Sequence, residues 1–463
     1  MEQNVKQPVV DAAKMFAAID VGTTKIVALV GYKNENNEIV VCGMSNIPSS
    51  GIWSGEVAQV SNAAKSIRAA VDEASKEAGF FPGKVVVGVA GRHVHAIRFS
   101  VPKTREDAAA EITQEELEQL KKDARNVAIG FDEEIINVVP QNYVLDGSEF
   151  VDPIGMSCKH IDANFQVVVG KIQALMQLRQ SVKMAGLELV EDGLYLEPLA
   201  SADAVLTKEE KNLGVALIDI GGGTTDIAIF KDNVLKATAV IPFGGNLVTL
   251  DIKKGCDILE SDAEEIKKQY GEAIKAYASN AIISIEGVPG QPAKQISVGN
   301  LSGIIQSRVE EIIDSAMFEI GQAGFIRNLG AGVVVTGGGS KLKNMSQLLS
   351  FKIGMASKIS SPIRSVSYND NLRFQDPMYS TSVGLLMKAA AIHTAEYQKL
   401  MEQEAAKAAA MEAAEVTTEN VTENQNEVTV ESENTEEKHH VWDSLKHKVK
   451  HAVGGLFEVD TEY

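Results

Sequence analysis

The sequence predicts an α/β protein with two similar lobes, a small α+β unit inserted in the first lobe, and a flexible tail that ends in an amphipathic helix. Two distant segments, 15–25 and 214–226, repeat one pattern, in which an apolar strand ends in Asp and a turn of glycine and threonine follows. A third glycine turn closes a buried-looking strand near 332–336. The 463 residues, 44% of them hydrophobic, are enough for two or more packed domains.

Each repeat is expected to form strand, tight turn and strand, because another apolar run follows each turn. Glycine lets backbone N–H groups approach phosphate oxygens, threonine hydroxyls add donors, and Asp can hold water around Mg²⁺. The pattern predicts a nucleoside triphosphate gripped from two sides, with Mg²⁺ anchored through water by Asp20 and Asp219. The predicted phosphate contacts are Gly22, Thr23, Thr24 and Lys25 in the first turn, and Gly221, Gly222, Gly223, Thr224 and Thr225 in the second. For Lys25 an exposed turn lysine is an equal alternative.

The third turn consists of Gly337, Gly338 and Gly339 and is followed by Ser340. Backbone without side chains could pack flat on a base at this point, so the turn is predicted to contact the nucleoside. A helix is expected to begin near Ser340.

The three turns, in this order, resemble those of the superfamily of actin, Hsp70 and sugar-kinase ATPases. The segment 196–202 is similar to the first connecting segment of that superfamily, which implies that Glu197 orients water near the metal. The segment 263–271 is similar to the helix that reaches ribose and adenine there, which implies those contacts for Glu264 and Lys267. A solvated helix with charge pairs three residues apart is the alternative for these two residues.

The composition limits the other possibilities. No window approaches the roughly 18 apolar residues of a membrane span, so an integral membrane protein is not expected. Residues 1–13 lack a signal-peptide pattern and are expected to be disordered. Three scattered cysteines, Cys42, Cys158 and Cys256, indicate a reducing cytoplasm and no metal site built on thiols.

The C-terminal tail has an acidic part followed by a basic part. The net charge of −19 argues against nucleic acid as a partner, and residues 396–437, with twelve Glu and two Lys, carry −10 of it. We expect 396–438 to be a flexible linker, although its first twenty residues could continue a helix. Residues 439–457 have apolar positions at three-and-four spacing with lysines between them, which is typical of a helix lying on an anionic membrane. The predicted membrane contacts are Trp442, Leu445, Lys446, Lys448, Val449, Lys450, Val453, Leu456 and Phe457. A helix docked on protein and a disordered basic tail are the alternatives.

Nucleotide core, linker and terminal helix together resemble the FtsA family of bacterial cell-division proteins, from about residue 15 to 457. Proteins of this family carry their own subdomain early in the first lobe, and 84–165 alternates strands with a charged helix at that place. The resemblance implies an actin-like architecture with these parts: first lobe 14–83 and 166–211, inserted unit 84–165, second lobe 212–244 and 325–395, and a smaller subdomain 245–324 that belongs to the second lobe.

The resemblance also implies a function. The core would bind ATP with Mg²⁺ and polymerise head to tail, and the smaller subdomain would bind the C-terminal tail of the tubulin-like protein FtsZ. The inserted unit would contact other division proteins, and the chain would be a peripheral protein on the cytoplasmic face of the membrane at the septum. ATP hydrolysis is expected to be weak or regulatory. Two alternatives share the core: a scaffold of a pilus or secretion system, and a phosphotransferase of the sugar-kinase kind, for which the terminal helix has no use.

Overall fold

A computed structural model describes residues 12–286, 292–362, 366–367 and 372–399. The described residues up to 396 belong to one compact unit. Strands are β1 Met15–Val21, β2 Lys25–Lys33, β3 Ile39–Pro48, β4 Ile52–Trp53, β5 Glu56–Val57, β6 Lys84–Val89, β7 Val94–Thr104, β8 Glu133–Leu145, β9 Ser148–Phe150, β10 His160–Lys171, β11 Glu188–Leu196, β12 Val215–Ile220, β13 Thr225–Lys231, β14 Val234–Ile241, β15 Ile282–Ile285, β16 Lys294–Ser297, β17 Gly332–Thr336, β18 Ser357–Ile359 and β19 Val366–Ser367. Helices are α1 Val60–Ala78, α2 Gln114–Asp123, α3 Ile172–Met184, α4 Glu197–Val205, α5 Lys208–Leu213, α6 Gly245–Cys256, α7 Glu260–Tyr270, α8 Val298–Gln322, α9 Met345–Ile353, and α10 over residues 380–399.

The first lobe is built on a six-stranded sheet in the order β11-β6-β1-β2-β3-β19. Neighbours β1, β2 and β3 are antiparallel, whereas β6 runs parallel to both β1 and β11. Helix α1 packs closely on this sheet because small residues meet there: a Cβ placed on Gly43 would lie 2.1 Å from the carbonyl oxygen of Ala74. The lobe therefore has one large apolar core, with strands β1 and β2 almost fully buried.

The second lobe repeats the hairpin of the first. Its sheet has the order β14-β13-β12-β17-β18, with β12 and β13 antiparallel and β17 parallel to β12. Both predicted hairpins are present, and their turns close with the same bond: the amide of Gly22 donates to the Lys25 carbonyl at 3.0 Å, and the amide of Gly221 donates to the Thr224 carbonyl at 2.9 Å. Asp20 and Asp219 occupy the same register, two residues before these glycines.

The inserted unit is a four-stranded antiparallel sheet, β7-β10-β8-β9, covered by α2. Its own core contains Phe165, Ile161 and Leu120, all nearly inaccessible to solvent. The sequence placed 84–89 in this unit, but β6 lies in the large sheet, because this apolar run is buried between two parallel neighbours. Residues 166–171, expected in the first lobe, complete β10, which pairs with β7 and β8 along its length.

The segment 245–324, which is predicted to form a smaller subdomain, contains helices α6, α7 and α8 and the hairpin β15–β16. Helix α8 spans 25 residues and buries one apolar face against the second core. The helix expected near Ser340 begins only at Met345; a 3₁₀ turn over Gly338–Lys341 intervenes, because the glycines do not favour an α-helix.

Within the described part of the chain, no helix combines the length and the apolar character that crossing a membrane requires.

Candidate nucleotide site

The turns of the two hairpins face each other between the lobes. A Cβ placed on Gly223 would lie 2.2 Å from Thr23 Oγ1, and one placed on Gly222 would lie 2.4 Å from Thr24 Cγ2. Threonines of the first loop thus face glycines of the second loop, and larger side chains at these two glycines would push the loops apart. The structure brings the two predicted phosphate loops together.

The backbone polarity of these loops suits an anion. Their carbonyl oxygens accept bonds from the protein: Gly221 O from the Gly245 amide at 2.9 Å, and Gly222 O from the Asn246 amide at 2.8 Å. The amides at the tips, by contrast, make no hydrogen bond to another group of the described chain. These free donors belong to Thr23, Thr24, Gly222 and Gly223. Unpaired N–H groups converging from two loops are the chemistry that binds phosphate oxygens.

Hydroxyl groups from two helices hold the two aspartates. Ser201 on α4 donates to Asp219 Oδ2 at 2.6 Å, and Thr381 on α10 donates to the same oxygen at 3.1 Å. Ser382 donates to Asp20 Oδ2 at 2.9 Å. Both aspartates are buried, and each helix fixes a carboxylate at the end of the strand that precedes a phosphate loop.

The buried carboxylates repel one another. Burial, followed by the charges of Asp20, Asp226 and Asp219, raises the pKa of Glu197 well above its ordinary value, and Lys25 opposes this. Burial raises the pKa of Asp219, against the hydrogen bonds from its hydroxyl partners. Burial and then Asp219 raise the pKa of Asp226 well above 3.8. A positive charge placed among these groups would stabilise their ionised forms.

Asp226 has a fully buried oxygen that makes no hydrogen bond within the described part of the chain. Asp226 Oδ2 accepts from the Thr224 hydroxyl at 3.1 Å, but its buried Oδ1 makes no hydrogen bond. In the described residues no three side chains of His, Cys, Asp or Glu lie close enough to ligate a metal directly. Carboxylate oxygens are the ligands that hard divalent cations such as Mg²⁺ prefer, so the donor chemistry of these aspartates fits such a cation.

Lys25 lies at the edge of the first loop. Its Nζ donates to the Met378 carbonyl at 2.7 Å, lies 3.6 Å from Asp20 Oδ2, and stands 5.4 Å from the centre of the Tyr379 ring. The side chain is thus held beside the cluster and not extended into solvent.

The third glycine turn adjoins the second loop. Gly337 has φ +86°, and a Cβ on it would lie 2.2 Å from Asp219 Oδ1. Gly339 is equally tight against Ile220, whereas a Cβ on Gly338 would meet nothing closer than 3.9 Å. Gly338 therefore keeps one open face. Ser340 is buried and its hydroxyl donates to the Gly337 carbonyl at 2.7 Å, so it shapes the turn.

Glu264 and Lys267 lie on α7 and contact the start of α6, which is hydrogen-bonded to the second phosphate loop. Their side chains form an ion pair at 2.6 Å, and Lys267 also donates to the Gly245 carbonyl at 3.0 Å. Burial lowers the pKa of Lys267. Burial raises the pKa of Glu264, but Lys267, the Thr249 hydroxyl and Lys268 together leave it below the ordinary value. The pair is partly buried beside the loop, and does not belong to a solvated helix face.

Several residues of the site were not predicted from the sequence. Asp226 and Ser201 lie in the segments 214–226 and 196–202 but were given no role. No contact was predicted for the hydroxyls of Thr381 and Ser382. A signal was present at 380–386, where three hydroxyl residues precede an apolar run. The predicted membrane residues from Trp442 to Phe457 lie outside the described residues.

Comparison with known proteins identifies the family. The family described as "Cell division protein FtsA" matches residues 216–384, and the one described as "SHS2 domain inserted in FTSA" matches 91–169. The chain is 36% identical to the cell division protein FtsA of Pseudomonas aeruginosa over 380 residues, covering 82% of this chain and 90% of that protein. The chain belongs to the FtsA family. It is also 32% identical to FtsA of Bacillus subtilis, over 81% of this chain and 83% of that protein.

The fold agrees with this assignment. A solved structure titled "PilM-PilN type IV pilus biogenesis complex" superposes with a TM-score of 0.58 at 18% identity, covering 83% of this chain and 99% of that one. Identity at that level shows the shared actin-like fold alone. The FtsA-family range 91–169 coincides with the inserted sheet, since β7 begins at Val94 and β10 ends at Lys171.

Proposed function

We propose that this FtsA-family chain binds Mg-ATP between its two phosphate loops, polymerises head to tail, and anchors FtsZ to the cytoplasmic face of the membrane through its C-terminal helix. The alternative of a pilus or secretion scaffold has only fold similarity in its favour. The alternative of a sugar kinase has no substrate motif to support it.

The observation that carries the nucleotide part is the arrangement of four free amides above buried carboxylates. The amides lie on two equivalent turns, so a polyphosphate can be held from both lobes at once. The carboxylates repel each other and one of their oxygens lacks a partner, which favours a cation beside the phosphates. A ligand that bridges both lobes favours one relative position of the lobes, and therefore one filament geometry.

Asp20 and Asp219 would hold the metal through water, and helix hydroxyls orient both carboxylates by bonding to their Oδ2 atoms. When bound, Mg²⁺ would offset phosphate charge. Glu197 begins α4, and a Cβ on Gly88 would lie 2.9 Å from its carboxylate, so the side chain is packed against β6. We give Glu197 the role of orienting a water near the metal, and we expect ATP hydrolysis to be weak or regulatory.

The remaining parts of the proposal come from the family and from the tail sequence. The smaller subdomain, residues 245–324, is the proposed site for the FtsZ tail, and the inserted unit for other division proteins. Residues 439–457 are the proposed membrane helix. One such helix binds reversibly, and an array along a filament gains avidity without new contacts.

Titration with a fluorescent ATP analogue in Mg²⁺ tests the nucleotide site. Asp219→Ala should weaken binding at least tenfold, because it removes a metal anchor and the carboxylate that accepts from the Ser201 and Thr381 hydroxyls. Asp162→Ala, at an exposed position of β10, is the matched control and should bind as the wild type does. Equal affinities for the two variants would contradict the assignment.

Co-sedimentation with anionic liposomes tests the anchoring function. FtsZ, Mg-ATP and either the full chain or a chain ending at Glu437 are mixed with the vesicles and pelleted. We expect only the full chain to bring FtsZ into the pellet. If neither chain pellets with vesicles, the terminal helix does not bind membranes and the anchoring proposal fails.

A further inference from the structure

A small hairpin of the first lobe reaches both phosphate loops. Strands β4 and β5 form it, and the amides of Ala58 and Gln59 close its base by donating to the Gly51 carbonyl at 2.8 and 3.0 Å. We call residues 51–57 the bridging hairpin. No role was predicted for it from the sequence.

The tip of the bridging hairpin contacts the second loop. The Ser54 hydroxyl lies 2.9 Å from the Pro242 carbonyl and 3.2 Å from the Gly223 carbonyl. It has one hydrogen for two acceptors, one at the end of β14 and one in the phosphate loop. A change in the distance between these two carbonyl groups would therefore change the hydrogen bonding of Ser54.

The same tip orients the first loop. The Gly55 amide donates to Thr23 Oγ1 at 2.9 Å. Because this bond uses an acceptor position of the hydroxyl, the hydrogen of Thr23 is left to point elsewhere, as a donor. Gly55 has φ +78°, and a Cβ would lie 3.2 Å from Thr224 Cγ2, so a side chain at this position is disfavoured.

The next residue connects the hairpin to the root of the inserted unit. Glu56 Oε1 lies 3.3 Å from Nδ1 of the buried His93 and 3.7 Å from Nε of Arg92. Both residues directly precede β7, and the His93 carbonyl accepts from the Lys171 amide at 3.1 Å, at the end of β10. Glu56 thus contacts the point where the inserted sheet enters and leaves the first lobe.

Little free space lies beneath the bridging hairpin. The space enclosed by the hairpin, His93, β6 and α3 measures about 10 Å³, close to the smallest cavity that holds one water. A displacement of the tip is therefore passed on to its neighbours. The two phosphate loops lie close together at Thr23 and Gly223, and the tip is bonded to each, so any change in their spacing on phosphate binding would act on the tip.

We propose that the bridging hairpin couples phosphate binding to the inserted α+β unit, so that ATP changes the position of the surface that this unit presents. The inference rests on the proposed nucleotide function. It makes Ser54 and Gly55 positioning residues for the loops, and Glu56 the link to β7 and β10.

Hydrogen exchange with mass spectrometry tests the coupling on the full chain, with and without Mg-ATP, at a concentration where light scattering detects no assembly. In the wild type, ATP should change exchange in 94–104 and 160–171. Glu56→Gln should bind ATP within about twofold of the wild type and lose that change. Glu73→Gln, on the exposed face of α1, is the matched control and should keep it. Ser54→Ala should reduce both affinity, about fivefold, and the exchange response, and Ser54→Thr should restore them.

A second readout uses Trp53, whose side chain beside the tip is 72% exposed. In a Trp442→Phe background it is the only tryptophan, and ATP should change its emission. ATP binding with an unchanged inserted unit, or an equal response in Glu56→Gln and the wild type, would overturn the coupling alone. Failure to bind ATP, measured directly with the fluorescent analogue, would overturn both the coupling and the proposed nucleotide function.

Discussion

The crossing of α4 and α10 allows a sharp test of the site architecture, because a glycine lies where the two helices meet. A Cβ on Gly384 would lie 1.8 Å from the carbonyl oxygen of Ala200 and 2.3 Å from its carbonyl carbon. Real Cβ atoms do not approach backbone this closely, and backbone of two packed helices cannot yield as a flexible side chain does. Gly384→Ala must therefore separate the helices.

The magnitude follows from two opposing effects. Overpacking of a tight core costs about 1–3 kcal/mol, and contact with backbone places this case at the upper end. Alanine in a helix is about 1 kcal/mol more favourable than glycine, which offsets part of the cost. We expect Gly384→Ala to lower the free energy of unfolding by about 2 kcal/mol.

Gly321 provides a matched control near the end of α8, since a Cβ there would meet no atom within 4 Å. Gly321→Ala should be neutral or up to about 1 kcal/mol stabilising. Urea unfolding of the two full-length variants, followed by circular dichroism, measures both. Replacing glycine by alanine should thus lower the free energy of unfolding at position 384 and leave it unchanged or raise it at position 321.

The nucleotide site gives a second readout. Helices α4 and α10 carry the hydroxyls of Ser201, Thr381 and Ser382, so separating them should disturb Asp20 and Asp219 and weaken Mg-ATP binding in Gly384→Ala but not in Gly321→Ala. Equal unfolding midpoints and equal affinities for the two variants would refute the reasoning.

Three further predictions concern charge and the tail. The pKa of Asp226 is higher in the folded protein than its ordinary value of 3.8. The protonated side chain therefore contributes its full stabilisation below about pH 3.8, and this stabilisation is lost as the pH rises through the raised pKa. Without Mg²⁺ and nucleotide, Asp226→Asn should therefore be about 1–3 kcal/mol more stable than the wild type at pH 8, and the difference should shrink toward pH 5 in urea titrations; a constant difference would contradict this. Lys25→Met should weaken Mg-ATP binding about tenfold through loss of the charge beside Asp20, and unchanged affinity would make Lys25 a turn lysine without a ligand. Trp442→Glu should reduce pelleting with anionic vesicles at least tenfold, whereas Trp53→Glu should not, and equal pelleting would contradict a membrane helix.

Local patterns were enough to predict the repeated hairpins, because glycine turns between apolar runs act over a few residues. They placed Asp20 and Asp219 at equivalent strand ends, where the structure has them. The boundary of the inserted unit could not be read in this way. An apolar run such as Lys84–Val89 fits either sheet, and only its pairing with β1 and β11 decides which one it joins.

The sequence by itself determined the order of the loops, the family resemblance and the charge pattern of the tail, since all three depend on short runs of contiguous residues. Tertiary structure decided which side chains surround the aspartates. Ser382 is 362 positions from Asp20, and Thr381 is 162 from Asp219, so no local pattern could pair them. It also decided that Asp226 keeps a buried oxygen without a partner and that the bridging hairpin touches both loops, because burial and contact across the cleft depend on how the two lobes pack together.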